Sequence, residues 1–208
     1  MKRFLLLLTL LLFVGQLHVQ AQAVPAGKLR DVEPAPGMMR VVVGDKTFMA
    51  TLADNATGTA FAERLPLTLN MSELNGNEKY CYLSDALPNS PENPGTIHAG
   101  DIMLYGSSCV VLFYKTFNTS YRYTRIGAVD DPTGLAEALG SGQVTVKFEL
   151  ALKGDVNNDG ELSIGDVTAL INLLLTGKAA DNSTADVNGD REMNIGDVTA
   201  LINLLLTK

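Results

Sequence analysis

From Met38 onward the chain alternates short apolar runs with turn-forming residues, and nearly every run is rich in β-branched or aromatic side chains. MMRVVVG and TFMATLA read as strands, and Gly44-Asp45 between them predicts a tight hairpin. Thr57–Arg64 (TGTAFAER) predicts a short helix stopped by Pro66. Further strand-like runs follow: LPLTLNMSEL, EKYCYL, then, after a polar loop with Pro88, Pro91 and Pro94, DIMLYG, CVVLFYK and YRYTRIGAV. Asp131-Pro132 predicts a second short helix, with aspartate as N-cap and proline at the first helical position, ending near Gly140. QVTVKFEL alternates cleanly and closes the region. The order is ββαβββββαβ over residues 38–150. Eight strands in so short a segment favour a closed barrel over an open sheet, because closure removes exposed edges.

Beyond residue 150 the pattern changes to an acidic loop followed by an apolar helix, twice. GDVNNDGELSIGDVTALINLLLT spans Gly154 to Thr176, and ADVNGDREMNIGDVTALINLLLT spans Ala185 to Thr207. Counted from the first aspartate, loop one has Asp155 at position 1, Asn157 at 3, Asp159 at 5, Gly160 at 6, Glu161 at 7 and Asp166 at 12. Loop two has Asp186, Asn188, Asp190, Arg191, Glu192 and Asp197 at the same positions. This is oxygen-ligand spacing for Ca²⁺, a hard cation that takes six to eight oxygens at about 2.3–2.6 Å. Position 7 offers a backbone carbonyl, so Glu161 and Glu192 need not bind through their side chains; position 9 is Ser163 or Asn194. Two calcium sites are expected. The second should be weaker, because position 6 needs the sharp turn that glycine supplies and loop two has Arg191 there. Neither unit can bury its apolar residues alone. Leu170, Ile171, Leu173, Leu174 and Leu175 are expected to pack on their copies Leu201, Ile202, Leu204, Leu205 and Leu206.

The N-terminus addresses location. Lys2 and Arg3 precede an apolar run, Phe4–Val14, and the small residues Ala21 and Ala23 follow; this predicts a cleaved export signal over 1–23 and a periplasmic, cell-surface or extracellular protein. Val24–Gly37, with prolines at 25, 34 and 36, predicts a flexible lead-in. No other stretch is long and apolar enough to span a bilayer. Without the signal, 14 basic residues face 23 acidic ones, a net −9. Six of those excess negative charges fall in residues 155–208, so nucleic acid is excluded as a partner and a bound cation is favoured. Cys81 and Cys109 lie in separate strand-like runs and read as either buried thiols or a disulfide.

Catalytic patterns are sparse. One histidine, His98, follows the signal, no G-x-S-x-G elbow occurs, and the cysteines have no metal-binding companions. Six tyrosines fall between residues 80 and 123. Tyr80, Tyr82, Tyr121 and Tyr123, with Thr68 and Arg122, are candidates for a groove that holds a peptide or small molecule; barrel packing is the alternative account of the same residues.

The strand order is that of the cyclophilin barrel. The phrases ERLPLTLNMSELNGNEKY, PGTIHAGDIMLYG, VVLFYKTF and YTRIG resemble the bacterial cyclophilin-like family more closely than true cyclophilins. The fold implied is a mainly-β, closed eight-stranded barrel with two short helices. The loop–helix pair, with aspartate at position 12 and one helix per loop, resembles a type I dockerin from Asp155 to the chain end. That resemblance implies a small all-α calcium domain that docks onto a cohesin-like partner, within an extracellular polysaccharide-degrading system. It places partner recognition at positions 10 and 11, here Ile164-Gly165 and Ile195-Gly196 in place of the Ser/Thr pair of the well-known cellulosome type; packing in a short strand between the loops is the alternative account of the two isoleucines. The short ALKG junction also permits docking of the module on its own barrel. The expected function is binding and assembly. The alternative is prolyl isomerisation, although the cyclophilin signature around its arginine is missing and the nearest segment, FAERLPLTLNMSEL, offers Arg64 alone.

Overall fold

The computed structural model describes residues 33–177 and 184–207. The predicted signal, and the lead-in as far as residue 32, lie outside the described residues. Strand β1 (Pro34–Val43) turns through Gly44-Asp45 into β2 (Lys46–Leu52), and the pairing of Val43 with Lys46 makes the expected two-residue hairpin. Helix α1 (Ala56–Ala62) follows, then β3 (Leu67–Leu74), β4 (Glu78–Tyr82), β5 (Thr96–Ile97), β6 (Asp101–Tyr105), β7 (Cys109–Phe113), β8 (Phe117–Asn118), β9 (Thr124–Val129), α2 (Leu135–Leu139) and β10 (Val144–Leu152). Eight strands close an antiparallel barrel in the order β1-β10-β3-β4-β7-β6-β9-β2, with β2 returning to β1. Helices α3 (Ile164–Thr176) and α4 (Ile195–Leu206) complete the chain.

Alternation builds the barrel interior. Met39, Val41 and Val43 of β1, Leu69 and Met71 of β3, Ile102 and Leu104 of β6, Val110 and Leu112 of β7, and Val146 and Phe148 of β10 belong to one buried cluster. Phe61 of α1 meets Phe148 edge to face at 5.5 Å between centroids, and Leu135 and Leu139 of α2 join the same cluster. Strands β6 and β7 are buried on both faces. Their outward residues Met103, Cys109, Val111 and Phe113 pack with Ile97, Tyr123 and Phe117 in a second cluster. The tiny sheet β5–β8 helps cover that outer face; two residues per strand are too few to show an alternation, which is why the sequence pattern misses it. Cys81 packs against the inner cluster and Cys109 within the outer one, and both are free thiols.

Three boundaries differ from expectation. Strand β1 begins at Pro34 and pairs it with Leu152 across a bulge, so the end of the predicted lead-in belongs to the sheet. Helix α1 starts one residue earlier than predicted, capped by Asn55, whose side chain accepts from the Gly58 N–H at 2.8 Å. Helix α2 starts later, after Gly134. Asp131 accepts from the Thr133 N–H at 3.0 Å, so it closes a local turn where an N-cap was expected.

One buried cation ties β4 to the loop before β10. Lys79 is fully buried; its Nζ donates to the carbonyls of Gly140 at 2.9 Å and Gly142 at 2.6 Å and pairs with Glu73 at 2.6 Å. Tyr114 donates to the other Glu73 oxygen at 2.7 Å. A buried ammonium is tolerated only with such a complete set of acceptors.

The C-terminal pair is a separate small core. Val156, Val167, Leu170, Ala185, Val187, Val198 and Leu201 are buried, with Leu173, Leu174, Leu204 and Leu205 half-buried against them. The expectation that all five apolar positions of each helix would be covered is corrected here. Ile171 and Leu175, like Ile202 and Leu206, face solvent, because two thirteen- and twelve-residue helices meeting along one stripe shield only about half of each circumference.

Replacing Phe61 with alanine should remove its contact with Phe148 and leave a cavity in the main core cluster, costing about 3–5 kcal/mol. Denaturant unfolding followed by tyrosine signal checks this; a loss under about 1 kcal/mol would mean the ring is not part of the core.

Candidate metal centre and docking face

Strand β10 ends at Leu152, and the first loop begins three residues later. Asp155 is fully buried: its carboxylate accepts from the N–H groups of Asp159 at 3.1 Å and Gly160 at 2.9 Å. Asn157 accepts from the Asp159 N–H at 2.9 Å and donates to its carboxylate at 2.7 Å. Asp159 accepts from the Glu161 N–H at 2.8 Å. Asp166, also fully buried, accepts from Val156 at 3.0 Å and Asn157 at 3.2 Å with one oxygen, and from Ser163 at 2.8 Å with the other. Its contact with Ser163 completes a capping box at the start of α3.

Loop two repeats this network. Asp186 accepts from Gly189 at 2.7 Å and Arg191 at 2.9 Å; Asn188 and Asp190 bond each other at 2.8 Å; Asp190 accepts from Glu192 at 2.8 Å. Asp197 is buried and accepts from Val187 at 2.8 Å, Asn188 at 3.1 Å and Asn194 at 2.9 Å, forming the second capping box. The Glu161 and Glu192 side chains are exposed.

The residues fit a hard divalent cation in kind. Every polar side chain at positions 1, 3, 5 and 12 offers oxygen; the first and last carboxylates are buried in loop one and the last in loop two. Asp155 is pushed up to about 6, first by burial; the Gly160 N–H and the Arg40 charge pull it down, while Asp166 and Asp159 push it further up. Three carboxylates that disfavour each other's charge in one loop are what a divalent ion relieves. Among the described residues, however, no three acidic, histidine or cysteine side chains are gathered closely enough to grip an ion. The carboxylates are engaged by backbone N–H groups, which any bound calcium would have to replace in part. Position 6 is left-handed in both loops, with φ of 90° at Gly160 and 69° at Arg191. Glycine adopts that conformation freely, whereas a side chain there costs about 1–2 kcal/mol.

The two helices present matching apolar stripes. Ile164 is 73% exposed and Ile195 71%, and each begins a row continued by Ile171 and Leu175, or by Ile202 and Leu206, at seven and eleven residues' spacing. Gly165 and Gly196 are half-buried beside them. The sequence pattern gave no way to tell these outward positions from the inward leucines, since the helices are apolar nearly all round.

On the barrel, Tyr80, Tyr82, Tyr121 and Tyr123 line one groove of about 360 Å³, together with Tyr105, Phe117 and Glu78. Burial, and then the nearby Glu73, raise the Glu78 carboxyl above its usual range, and burial pushes the Cys109 thiol beside it up to about 11. Thr68 and Arg122 do not line this groove, correcting that expectation. Thr68 sits opposite Lys147 on the β3–β10 ladder, and Arg122 donates to the Pro91 carbonyl at 3.1 and 2.6 Å. Arg64 is likewise turned to the carbonyls of Asp85 at 2.9 Å and Ala86 at 2.7 Å. His98 lies on the rim of a different cavity of about 560 Å³, with Arg125, whose guanidinium pairs with Asp101 at 2.8 Å.

Residues 41–149, which contain the barrel strands from mid-β1 to β10, match the model of the cyclophilin-like family. The chain belongs to that family. Residues 153–206 match the type I dockerin domain, a protein–protein assembly module of a kind that generally binds calcium. No curated protein matches the chain. Among solved structures it is similar to a hypothetical protein from Archaeoglobus fulgidus, known in solution, at 16% identity over 57% of this chain and 98% of that one, with a TM-score of 0.44. The cyclophilin-like barrel and the dockerin-like pair thus follow each other as the strand order and the loop spacing imply.

Two outcomes are expected. Arg191→Gly should relieve the left-handed side chain, so that calcium, if loop two takes it, binds there up to about fivefold more tightly, equivalent to about 1 kcal/mol; calorimetric titration checks it, and unchanged or weaker binding would contradict it. Folded Asp155 holds its proton more tightly than an unfolded aspartate. The stability it contributes is full below about pH 4 and lost as pH rises through about 6. In chelator-treated protein the helical melting midpoint should therefore be higher at pH 5 than at pH 7, and a fall would contradict this.

Proposed function

We propose that this chain is an exported assembly protein in which the C-terminal dockerin-like module carries a cyclophilin-like barrel to a cohesin-like partner, in an extracellular polysaccharide-degrading system. Calcium in the two loops sets the module's order, through Asp155, Asn157, Asp159, the Glu161 carbonyl and Asp166 in one loop, and Asp186, Asn188, Asp190, the Glu192 carbonyl and Asp197 in the other. The observation that carries the reading is the pair of equivalent solvent-facing stripes headed by Ile164 and Ile195 beside those loops. Soluble chains rarely leave two long apolar rows open without a partner to cover them. Export is supported by the N-terminal pattern of Lys2, Arg3, Phe4–Val14 and Ala21-x-Ala23. No helix among the described residues is long and apolar enough to cross a membrane.

The barrel is the delivered cargo, and its tyrosine groove is its proposed ligand surface for a peptide or small molecule. Prolyl isomerisation gains no support from the arginines, since Arg64 and Arg122 are both engaged with loop carbonyls away from that groove.

The test is capture of a cohesin domain by the full chain with calcium and with chelator. Binding should need calcium. Because either stripe can dock, Ile164→Asp or Ile195→Asp alone should weaken binding only about twofold, whereas the double substitution should cost 2 kcal/mol or more, roughly thirtyfold. Chelator-insensitive binding, or full binding by the double variant, would reject the reading.

A further inference from the structure

Arg40 lies on β1, is only 7% exposed, and reaches out of the barrel to the first loop. Its Nη1 pairs with Glu149 of β10 at 3.0 Å, and its Nη2 donates to the backbone oxygen of Asn158, position 4 of the loop, at 3.0 Å. The guanidinium also occupies the space over Gly160: a Cβ built there would meet Cζ at 3.0 Å and Nη1 closer still. Glycine at position 6 of this loop is thus favoured twice, by its φ of 90° and by the barrel arginine seated over it. Loop two is different. Position 6 is the exposed Arg191, and among the described residues no hydrogen bond or ion pair joins the barrel to Asp186–Asp197. The planar fork suits this task, with one arm on a barrel carboxylate and the other on a loop carbonyl.

We infer that Arg40 is a positioning residue that makes the first calcium loop a shared element of both domains, so that calcium taken up there stabilises the barrel as well as the C-terminal helices. The inference rests on the reading that the loops take calcium. The physical step is linkage. An ion that binds only the formed loop stabilises whatever must be in place for the loop to form, and Arg40 places β1 and β10 among those things. The same bonds work in reverse: a folded barrel holds Asn158 and Gly160 in place before the ion arrives, lowering the ordering cost of the first loop but not of the second.

The full chain separates the two domains optically. All six tyrosines lie between residues 80 and 123 and none in the loop–helix pair, so near-ultraviolet circular dichroism follows the barrel, while the 222 nm signal follows mainly α3 and α4. Melting is recorded in excess CaCl₂ and in chelator. The wild type should show calcium raising both midpoints, the tyrosine one by at least about 4 °C. In Arg40→Met the helical signal should still respond to calcium, but the tyrosine midpoint should not move. Arg40→Lys keeps the stem and charge yet cannot span both acceptors, and should cut the tyrosine shift by at least half; it serves if the methionine variant fails to show a folded tyrosine spectrum. A helical response to calcium with no tyrosine shift in the wild type, or an undiminished shift in the variants, overturns the inference and leaves the calcium reading standing. No helical response in the wild type overturns the calcium reading and this inference with it.

Discussion

The C-terminal module depends on two buried carboxylates, Asp166 and Asp197. Each sits at the third position of its helix, and each gathers three N–H groups, two from the start of the loop and one from the helix N-cap. A buried carboxylate without partners would cost several kcal/mol. With three donors and the positive end of a helix it becomes the knot that closes the loop onto the helix. Everything distal follows from that closure. It fixes where α3 and α4 begin, so Leu170 and Leu201 meet in the small core, while Ile164 and Ile195 are left at the outer edge.

The barrel solves a different problem. It has no free edge among its eight main strands, and two of them, β6 and β7, are covered on both faces. The outer covering is aromatic and incomplete. Phe113, Phe117 and Tyr123 are packed together at 5.5–5.6 Å, but Tyr82, Tyr105 and Tyr121 remain exposed around the groove. The buried Lys79 lies at β4, pinned by the loop before β10 and by Glu73. The groove has a packed floor that includes Cys109, Val111 and Phe117 beneath a partly open aromatic rim.

Most of the barrel was legible because alternation is a direct record of which face is buried. MMRVVVG, QVTVKFEL and CVVLFYK read as strands and form β1, β10 and β7. What stayed hidden was set by distant contacts. The sequence of Pro34–Gly37 looks like a tether, and only Leu152, more than a hundred residues away, makes it a strand. Asp131-Pro132 has the chemistry of a helix start, yet the aspartate spends its oxygen on Thr133. In the repeats, spacing numbers the loop residues, but INLLLT carries no phase information about which leucine turns inward. Thr68 and Arg122 were grouped with the tyrosines by residue type, and the register of β3 and the hydrogen bond to Pro91 take them elsewhere.

The two loops are near-copies that differ at positions 4, 6, 8 and 9, and position 6 separates their situations most sharply. In loop one a glycine leaves room for an arginine contributed by β1; in loop two an arginine occupies that position itself, in a backbone conformation it adopts at a cost. A duplication alone would give two equivalent units. Fusion to the barrel breaks the equivalence, because the first unit follows β10 directly and must meet whatever projects from the barrel's end, while the second is held through α3 and α4. The outer stripes keep their symmetry, with Ile164 and Ile195 almost equally exposed, even though the inner loops have lost theirs.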